Sequence, residues 1–238
     1  MPSLPTSISP VWFTAVYLGL GKLLLSRDES AELPRVKPAI VIPVLNEAEY
    51  IGLTVQSALS QDMPVDVFVV DGGSSDGTVE VAESYGVRVL NVPGGKLKAR
   101  DWAYRNLPYE VQLHTDGDVL LPPNWARVMS SHFNDPSVVA VAGTTDLGFL
   151  SLAFWPLYMF HYGLRISGRS SAVRRSAYVR SGGFGKMEFE TGESHVAEEE
   201  VRLYDRLARL GKIVLEARVP VVHLRWDGHF PDQIRRTV

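Results

Sequence analysis

The amino-acid sequence predicts an α/β fold with a mostly parallel central sheet that helices cover on both faces. Two observations carry this prediction: short, nearly continuous apolar runs recur between residues 39 and 115, and segments with helical spacing of apolar residues separate them. Strands buried on both faces have such runs, and their alternation with helices is typical of parallel βαβ units. A chain of 238 residues that is 45% hydrophobic is long enough to form a sizeable core.

Seven elements are predicted in order along this stretch. The first helix has Ile51, Val55 and Ala58 on one face, and Asp76 is the expected N-cap of the second. The strands are predicted over Ala39–Pro43, Val65–Val70, Val87–Val92 and Glu110–Thr115, and the helices over Ala48–Leu59, Thr78–Tyr85 and Leu97–Asn106.

Charge and cysteine content restrict the classes of function. The formal net charge is −3, whereas nucleic-acid-binding proteins usually have a basic excess, so we expect no nucleic-acid partner. The chain has no cysteine, which excludes disulfides and thiolate metal sites and fits a cytoplasmic protein.

Two apolar segments are candidates for membrane contact. Val11–Leu25 is interrupted by Lys22 and Phe149–Gly163 by Pro156, and both are shorter than the ~20 residues that span a bilayer. Each could instead be a buried helix or part of a homodimer contact. Having two such segments favours a peripheral position on the inner face of the membrane. Four arginines that could attract anionic headgroups follow the second segment: Arg165, Arg169, Arg174 and Arg175.

Polar residues cluster where the predicted strands end, which is where parallel sheets bind ligands. The first strand is followed by Asn46 and Glu47, and the second by Asp71 and a Gly/Ser-rich loop. The third is followed by a Gly-Gly turn and three cations suited to phosphate oxygens, which are Lys96, Lys98 and Arg100. Any one of these loops could be an ordinary connection, but several in succession at one sheet edge indicate a ligand site.

The fourth strand ends at Asp116-Gly117-Asp118, with both carboxylates placed to face a cleft. Such carboxylates supply the hard oxygen ligands that Mg²⁺ or Mn²⁺ prefers, and an ion of this kind can bridge a nucleotide diphosphate. Asp and Gly are also turn formers, so a plain turn is the alternative for this motif alone.

Three segments together resemble the family 2 glycosyltransferases, which have the GT-A fold. They are IPVLNEAEYIGLTVQSALSQ, VVDGGSSDGT and TDGDVLLPPNW, and they occur in order between about Ala39 and Gly143. Gly182-Gly183-Phe184 and the helix from Glu198 to Gly211 resemble later motifs of the family. The resemblance implies a metal-dependent, inverting hexosyltransferase that uses a nucleotide diphosphate sugar, with UDP favoured over GDP. The acceptor would be a hydroxyl or a lipid phosphate.

The resemblance also implies which parts of the chain bind the donor and which bind the acceptor. Residues 1–36 would be an apolar N-terminal segment that could associate with a membrane. Residues 37–145 would be the nucleotide-sugar-binding half and residues 146–238 the acceptor-binding half, with an aromatic apolar helix, both within one GT-A domain. Glu47 and Asp71 would hold the nucleoside, and Asp116 would contact the ribose or the donor sugar. Lys98 or Arg100 would help neutralise the diphosphate. The implied donor-binding residues are Pro43, Asn46, Glu47, Asp71, Lys98, Arg100, Asp116 and Gly117, and the implied ligands of Mn²⁺ or Mg²⁺ are Asp118 and His223.

The catalytic base is expected where the late helix begins. The family normally has Glu-Asp there, whereas this chain has three glutamates, and the register puts Glu200 at the position of the catalytic Asp. Glu200 shares a helix face with Leu203 and Leu207, so we expect it to be partly desolvated, with a raised pKa. Glu199 is the alternative base.

Two other classes of function stay open. A nucleotidyltransferase would also use a metal and paired acids, but it would normally have a Gly-rich, Lys-bearing loop where this chain has Pro43–Glu47. A non-catalytic nucleotide-binding or membrane-adaptor protein would explain the apolar segments, but not a glutamate at the base position.

Among the other histidines, His229 competes with His223 as a metal ligand, and His114 is expected to pack inside its strand.

Overall fold

The computed structural model describes residues 32–146, 168–185 and 196–225. The strands β1 to β10 are Ala39–Val44, Asp66–Asp71, Arg88–Asn91, Val111–His114, Val119–Leu120, Val138–Ala142, Thr145–Asp146, Ser171–Arg174, Lys212–Leu215 and Val221–His223. The helices α1 to α6 are Ile51–Leu59, Thr78–Ser84, Lys96–Asn106, Trp125–Ser131, Arg175–Arg180 and Val196–Ala208, and a 3₁₀ turn, His132–Asn134, follows α4.

A seven-stranded sheet forms the centre of the fold, with the strand order β3-β2-β1-β4-β8-β6-β9. Strands β3, β2, β1 and β4 run parallel, β8 is antiparallel to its neighbours β4 and β6, and β9 is parallel to β6. Strands β5, β10 and β7 form a second, three-stranded sheet. The prediction of an α/β fold with a mostly parallel central sheet is confirmed.

All seven predicted elements are present, with two local corrections. Helix α1 begins at Ile51, three residues later than predicted, because residues 48–50 form a turn ahead of it. The N-cap of α2 is Gly77, with φ at 91°, and not Asp76. Asp76 still accepts a hydrogen bond from the N–H of Thr78 (3.1 Å), so it satisfies a free helix donor from one position further out.

Pro43 lies in the central strand β1, where a missing N–H would normally interrupt a ladder. The pairing of β1 with β4 reaches only to Val41, whose carbonyl accepts a hydrogen bond from the N–H of Thr115 (3.2 Å). Because alternate residues of a strand bond to the same neighbour, the nitrogen of Pro43 falls just where that ladder stops. The proline therefore ends the pairing at the point where the chain after Thr115 turns into the Asp116–Asp118 segment.

Apolar side chains pack on both faces of the large sheet. In β1, Ile40, Ile42 and Val44 belong to one apolar cluster, and Ala39 and Val41 belong to another. Since successive side chains of a strand point to opposite faces, both faces of β1 are covered. This is why the strand is apolar at every position instead of alternating with polar residues.

The two segments expected to contact a membrane, Val11–Leu25 and Phe149–Gly163, lie outside the described residues. The helices that are described include none with the length and apolar character needed to cross a bilayer. Arg174 and Arg175, two of the four arginines that could attract anionic headgroups, donate to backbone carbonyl oxygens within the fold, at 3.0 and 2.7 Å. These bonds stabilise packing and leave both guanidinium groups charged and partly exposed, so attraction to headgroups stays a prediction.

Candidate active site

The loops that follow β1 and β2 are joined at the carboxyl edge of the large sheet. Asn46 donates its N–H to Ser74 Oγ and accepts from the N–H of Ser75 through Oδ1, both at 2.9 Å. The N–H of Glu47 donates to Thr78 Oγ1 at 2.8 Å. Asn46 has a left-handed backbone (φ 55°), which asparagine tolerates better than most residues. These bonds hold the two loops predicted to bind the nucleoside as one unit.

Asp71 organises the second of these loops from within. Its side chain is buried, and its carboxylate accepts hydrogen bonds from the N–H groups of Gly73 (3.0 Å) and Ser74 (3.1 Å). Asp71, which was predicted to hold the nucleoside, thus lies at the expected edge of the sheet. The contacts that its carboxylate makes are to its own loop. Its contribution in this structure is to shape the loop.

The loop after β3 packs on the same unit through Gly72. The carbonyl oxygen of Gly72 accepts hydrogen bonds from the N–H groups of Gly94 (3.0 Å) and Gly95 (2.9 Å). A Cβ on Gly72 would lie 2.6 Å from the carbonyl carbon of Gly95, so only glycine permits this approach. The contact places Lys96, the first residue of α3, at the edge of the site.

Asp116 lies between two cations of α3. Its Oδ1 is 3.1 Å from Lys96 Nζ and 2.8 Å from Arg100 Nη2. Burial alone would raise the pKa of this carboxyl, but the two cations outweigh burial and lower its pKa to about 2. Asp116 is therefore ionised at neutral pH. Lys98, one of the two predicted diphosphate ligands, has an exposed side chain that lies over Gly94.

Asp118 and His223 are brought together by the small sheet. Val119 of β5 pairs with His223 of β10, and Asp118 Oδ2 is 3.0 Å from His223 Nε2. Burial raises the pKa of Asp118, but the hydrogen bond and charge of His223 outweigh it, so the pKa of this carboxyl is lowered. The pairing predicted from the resemblance is thus present as a geometric contact.

The atoms available for metal coordination at Asp118 suit a hard divalent cation. Asp118 Oδ1 is buried and has no hydrogen-bond partner among the described residues, so one carboxylate oxygen is free for another ligand. Carboxylate oxygen and imidazole nitrogen both occur as ligands of Mn²⁺, and oxygen is the ligand that Mg²⁺ prefers. Over residues 32–146, 168–185 and 196–225, no group of three or more His, Asp or Glu side chains is arranged to hold a metal. The described residues would therefore supply only part of the ligand set of an ion at Asp118 and His223.

Glu47 contacts two cations: Lys96, which the sequence analysis named as suited to phosphate oxygens, and Arg225, which it did not name. Arg225 Nη2 is 2.6 Å from Glu47 Oε2, and Lys96 Nζ is 4.0 Å from Glu47 Oε1. Burial is the main cause that raises the pKa of Glu47, and the charge of Asp118 adds to it. Arg225 follows His223 by two residues, a spacing that places both on one side of an extended chain. That spacing is a signal that could have identified Arg225.

Gly117 fills a narrow gap between the two aspartates and the loop after β1. A Cβ at this position would lie 2.9 Å from Val44 Cγ1 and 3.1 Å from Glu47 Cγ. The absence of a side chain lets the turn approach Glu47 closely. Gly117 thus shapes the predicted donor site without a side chain of its own.

Two hydrogen-bond donors fix the carboxylate of Glu200 on α6. Its Oε1 accepts hydrogen bonds from Arg100 Nη1 (2.7 Å) and from the N–H of Gly168 (2.9 Å). A Cβ on Gly168 would lie within 2.2 Å of Arg100 Nη2, so a side chain there would displace the guanidinium group. Arg100 is only 4% exposed and contacts both Asp116 and Glu200. It is thus a buried cation shared by two carboxylates.

The burial pattern of α6 agrees with the predicted position of Glu200. Leu203 and Leu207, on the same face, are buried in the apolar cluster beside the sheet. Burial is the main cause that raises the pKa of Glu200, as expected, and the neighbouring Arg100 opposes the rise. The side chain of Glu199, the alternative base, lies outside the described part of the structure.

A continuous series of charged contacts connects the two ends of the site. It includes six of the predicted site residues and adds Lys96 and Arg225. In order, the contacting residues are Glu200, Arg100, Asp116, Lys96, Glu47, Arg225, Asp118 and His223.

His114 is a packing residue, as expected. Its ring is fully buried and stacks on Tyr104, with the ring centroids 3.9 Å apart. Burial and the nearby charge of Arg100 hold the pKa of His114 well below its ordinary value. His229, the other candidate metal ligand, lies outside the described residues.

Comparison with known proteins relates this geometry to a family and a fold. Residues 39–195 match the model described as glycosyl transferase family 2. A mannosyltransferase from Pyrobaculum calidifontis, solved with GDP-Man and Mn²⁺, superposes with a TM-score of 0.68 at 22% identity, over 93% of this chain and 68% of that chain. Glucosyl-3-phosphoglycerate synthase from Mycobacterium tuberculosis, solved with Mn²⁺, UDP-Glc and phosphoglyceric acid, superposes with a TM-score of 0.59 at 21% identity, over 84% of this chain and 75% of that chain. At these identities the likeness establishes the fold alone.

A curated relative matches a shorter stretch. The 4,4'-diaponeurosporenoate glycosyltransferase of Staphylococcus aureus is 47% identical over 53 residues. The match covers 22% of this chain and 14% of the relative, so the chain spans only a small part of that protein's length.

Proposed function

Because the chain belongs to glycosyl transferase family 2 and has the GT-A fold, we propose that it transfers a sugar from a nucleotide diphosphate sugar to an acceptor, with inversion at the anomeric carbon. The reaction would depend on Mn²⁺ or Mg²⁺. The observation that carries this proposal is the contact between Asp118 and His223, beside a buried carboxylate oxygen that has no partner among the described residues.

The donor would bind across the joined loops and the cationic edge of α3. The loops after β1 and β2 would receive the nucleoside, and Lys96 and Arg225 would approach the diphosphate. Both cations are partly exposed, with side-chain exposures of 29% and 48%, and are therefore accessible to a ligand. The two similar structures were solved with a guanosine and a uridine sugar nucleotide respectively. They support the class of donor, and the sequence resemblance favours uridine.

Asp118 and His223 would hold the metal ion. When bound there, the ion would stabilise the negative charge that grows on the leaving diphosphate. Arg225 Nε lies 3.5 Å from Asp118 Oδ2, so Arg225 supplies part of the positive charge at this position in the structure as it stands.

Glu200 would be the general base. Its carboxylate would take the proton of the acceptor hydroxyl while that oxygen forms a bond to the anomeric carbon. The bond from the anomeric carbon to the diphosphate oxygen would break, and its electron pair would leave with the nucleoside diphosphate. Oε1 of Glu200 is already bound by Arg100 and Gly168, which leaves Oε2 for the acceptor.

The structure supports a different role for Arg100 from the one expected. Its guanidinium group is buried and contacts Asp116 and Glu200, and such a position suits orientation of the base better than contact with the diphosphate. We therefore assign the diphosphate contact to Lys96 and Arg225, and the orientation of Glu200 to Arg100.

Titration calorimetry with nucleoside diphosphates tests the donor and metal sites together. Binding of UDP or GDP should strengthen by about tenfold or more when Mn²⁺ is present, and Asp118→Asn should remove this increase. Asp205→Asn, which changes an exposed carboxylate of α6 that is not part of the charged series, is the control and should behave as the unmodified protein. Equal binding with Mn²⁺ and with excess chelator would refute the metal site.

A further inference from the structure

We propose that Thr54 of α1 is a positioning residue that sets the place of Asp118 within the metal site. This inference rests on the proposed function, because it assigns a role at the same metal site. The structural basis is a single buried hydroxyl that bonds to the backbone on both sides of Asp118.

Thr54 is fully buried, and its hydroxyl makes two hydrogen bonds to the turn that carries the aspartates. Thr54 Oγ1 donates to the carbonyl oxygen of Gly117 at 2.8 Å. The same oxygen accepts a hydrogen bond from the N–H of Val119 at 3.1 Å. A hydroxyl has one hydrogen to donate and lone pairs to accept with, so one Thr54 side chain satisfies both backbone groups.

The backbone of Asp118 itself bonds to the chain just after β10. Its carbonyl oxygen accepts a hydrogen bond from the N–H of Leu224 at 2.7 Å, directly after His223. Asp118 is therefore held between α1 and the end of β10. Without the Thr54 contact, the position of Asp118 relative to His223 would depend on the contacts with β10 alone.

Strand β5 is too short to fix this distance alone. It contains only Val119 and Leu120, which pair with β10. A two-residue strand supplies few ladder bonds, so a contact from outside the sheet is needed to define its position. Thr54 provides that contact next to the carboxylate.

Two further polar residues, one on α1 and one just after it, bond to the chain that follows β5, further from the proposed metal site. Ser57 Oγ accepts from the N–H of Leu121 at 3.2 Å. Gln61, just beyond α1, donates to the carbonyl of Pro122 at 2.9 Å and accepts from the N–H of Ala126 at 2.7 Å. These bonds lie further along the chain from Asp118, so they offer a matched control for Thr54.

The test compares Thr54→Val, which keeps the side-chain shape but removes the hydroxyl, with Thr54→Ser, which keeps the hydroxyl. Ser57→Ala is the control that removes a bond from the same segment. Calorimetry measures the dissociation constant for binding of Mn²⁺–UDP or Mn²⁺–GDP to each variant. Mass spectrometry or NMR measures hydrogen exchange of the Val119 amide. Thermal unfolding of each variant reports global stability.

Thr54→Val should weaken Mn²⁺-dependent nucleotide binding by about 10-fold or more and speed exchange of the Val119 amide. Thr54→Ser and Ser57→Ala should stay within about twofold of the unmodified protein in metal-dependent binding. If Thr54→Val does not fold, Thr54→Cys, which has a similar volume and a weak donor, takes its place.

The possible failures are distinguishable. If the unmodified protein binds no Mn²⁺–nucleotide complex, the proposed function and this inference both fail. If it binds the complex and the hydroxyl-free variant binds it equally well, only the inference fails. An equal loss in Ser57→Ala would likewise overturn the specific role of Thr54, because it would indicate general loosening of the segment.

Discussion

Arg100 shows how a single residue links the two halves of the site. It is 4% exposed and lies 2.8 Å from Asp116 and 2.7 Å from Glu200. Removing one partner of a buried ion pair strongly destabilises a protein, because the remaining charge is left without compensation. The position of Glu200 is therefore tied to the position of Asp116 on the donor side.

Replacement of Glu200 tests its role as the base. Glu200→Gln keeps the shape and the hydrogen bonds but cannot take a proton, so transfer should fall by about 10²-fold or more while donor binding persists. Glu199→Gln is the matched control, measured by transfer rate and by calorimetry with the donor. A nearly unchanged Glu200→Gln with an inactive Glu199→Gln would show that the base is the preceding glutamate.

The pH dependence of transfer should report the same group. Burial raises the folded-state pKa of Glu200 above the ordinary value of 4.5, so kcat/KM should fall as the pH drops through a midpoint above 4.5. The carboxyl must be ionised to accept the acceptor proton, which fixes the sign of this change. A profile of kcat/KM against pH for the natural protein measures it. A midpoint at or below 4.5 would contradict a desolvated base.

At the residue scale, the sequence predicted which residues gather and that Asp118 lies with His223, but not the other contacts among them. The resemblance identified Asp116, Asp118 and Glu200, and the face shared with Leu203 indicated the burial of Glu200. The contact of Arg100 with Glu200 joins residues that are 100 positions apart. No local pattern reports such a contact, because it depends on how α3 packs near the start of α6.

At the element scale, the loops at the carboxyl ends of β1, β2 and β3 behave as one assembly. Side chains of the second loop bind the backbone of the first, and the carbonyl of Gly72 binds the third. Strands β1 and β2 are nearly continuous apolar runs that the fold buries, which is why the sequence predicted them, whereas β3 is exposed or half-buried along its length. Strands β5 and β7 have two residues each and carry no such pattern, so sequence periodicity could not locate them.

Gly72→Ala tests this assembly. The new Cβ would lie 2.6 Å from the carbonyl carbon of Gly95, and a backbone atom cannot move aside cheaply. We expect a loss of about 1–3 kcal/mol in the free energy of unfolding, measured in urea, together with weaker nucleotide binding as Lys96 is displaced. Gly77→Ala is the control, since it has open space and only its left-handed backbone opposes it, at a cost of about 1–2 kcal/mol. Unchanged nucleotide binding in Gly72→Ala would show that the contact between Gly72 and the third loop does not position the nucleotide site.

At the scale of the whole molecule, the proposed halves are not separate structural units. The large sheet runs from β3, in the proposed donor half, through β8 and β9, in the proposed acceptor half. Glu200 on α6, the proposed base, and the aspartates after β4 are therefore carried by one framework. This continuity suits a reaction that must hold donor and acceptor in line.

Membrane contact is also a property of the whole molecule. Attraction to a bilayer would depend on the apolar segments and on the cations that follow the second of them, two of which, Arg174 and Arg175, also donate to carbonyl oxygens within the fold. Flotation with anionic liposomes should recover the protein, and recovery should fall as salt screens charges over about 10 Å. Neutral liposomes are the control. A protein that floats with neither kind of liposome would favour a water-soluble acceptor.

The most direct test of the central claim is an analysis of the products formed from a panel of UDP- and GDP-sugars in the presence of Mn²⁺. The account predicts slow release of the nucleoside diphosphate from one of them, because water replaces the acceptor when none is supplied. Asp118→Asn and Glu200→Gln should each reduce this release by about 10²-fold or more. Release of pyrophosphate or of a nucleoside monophosphate would identify nucleotidyl chemistry instead. That result, or the absence of any turnover by a folded protein that contains Mn²⁺, would contradict the account.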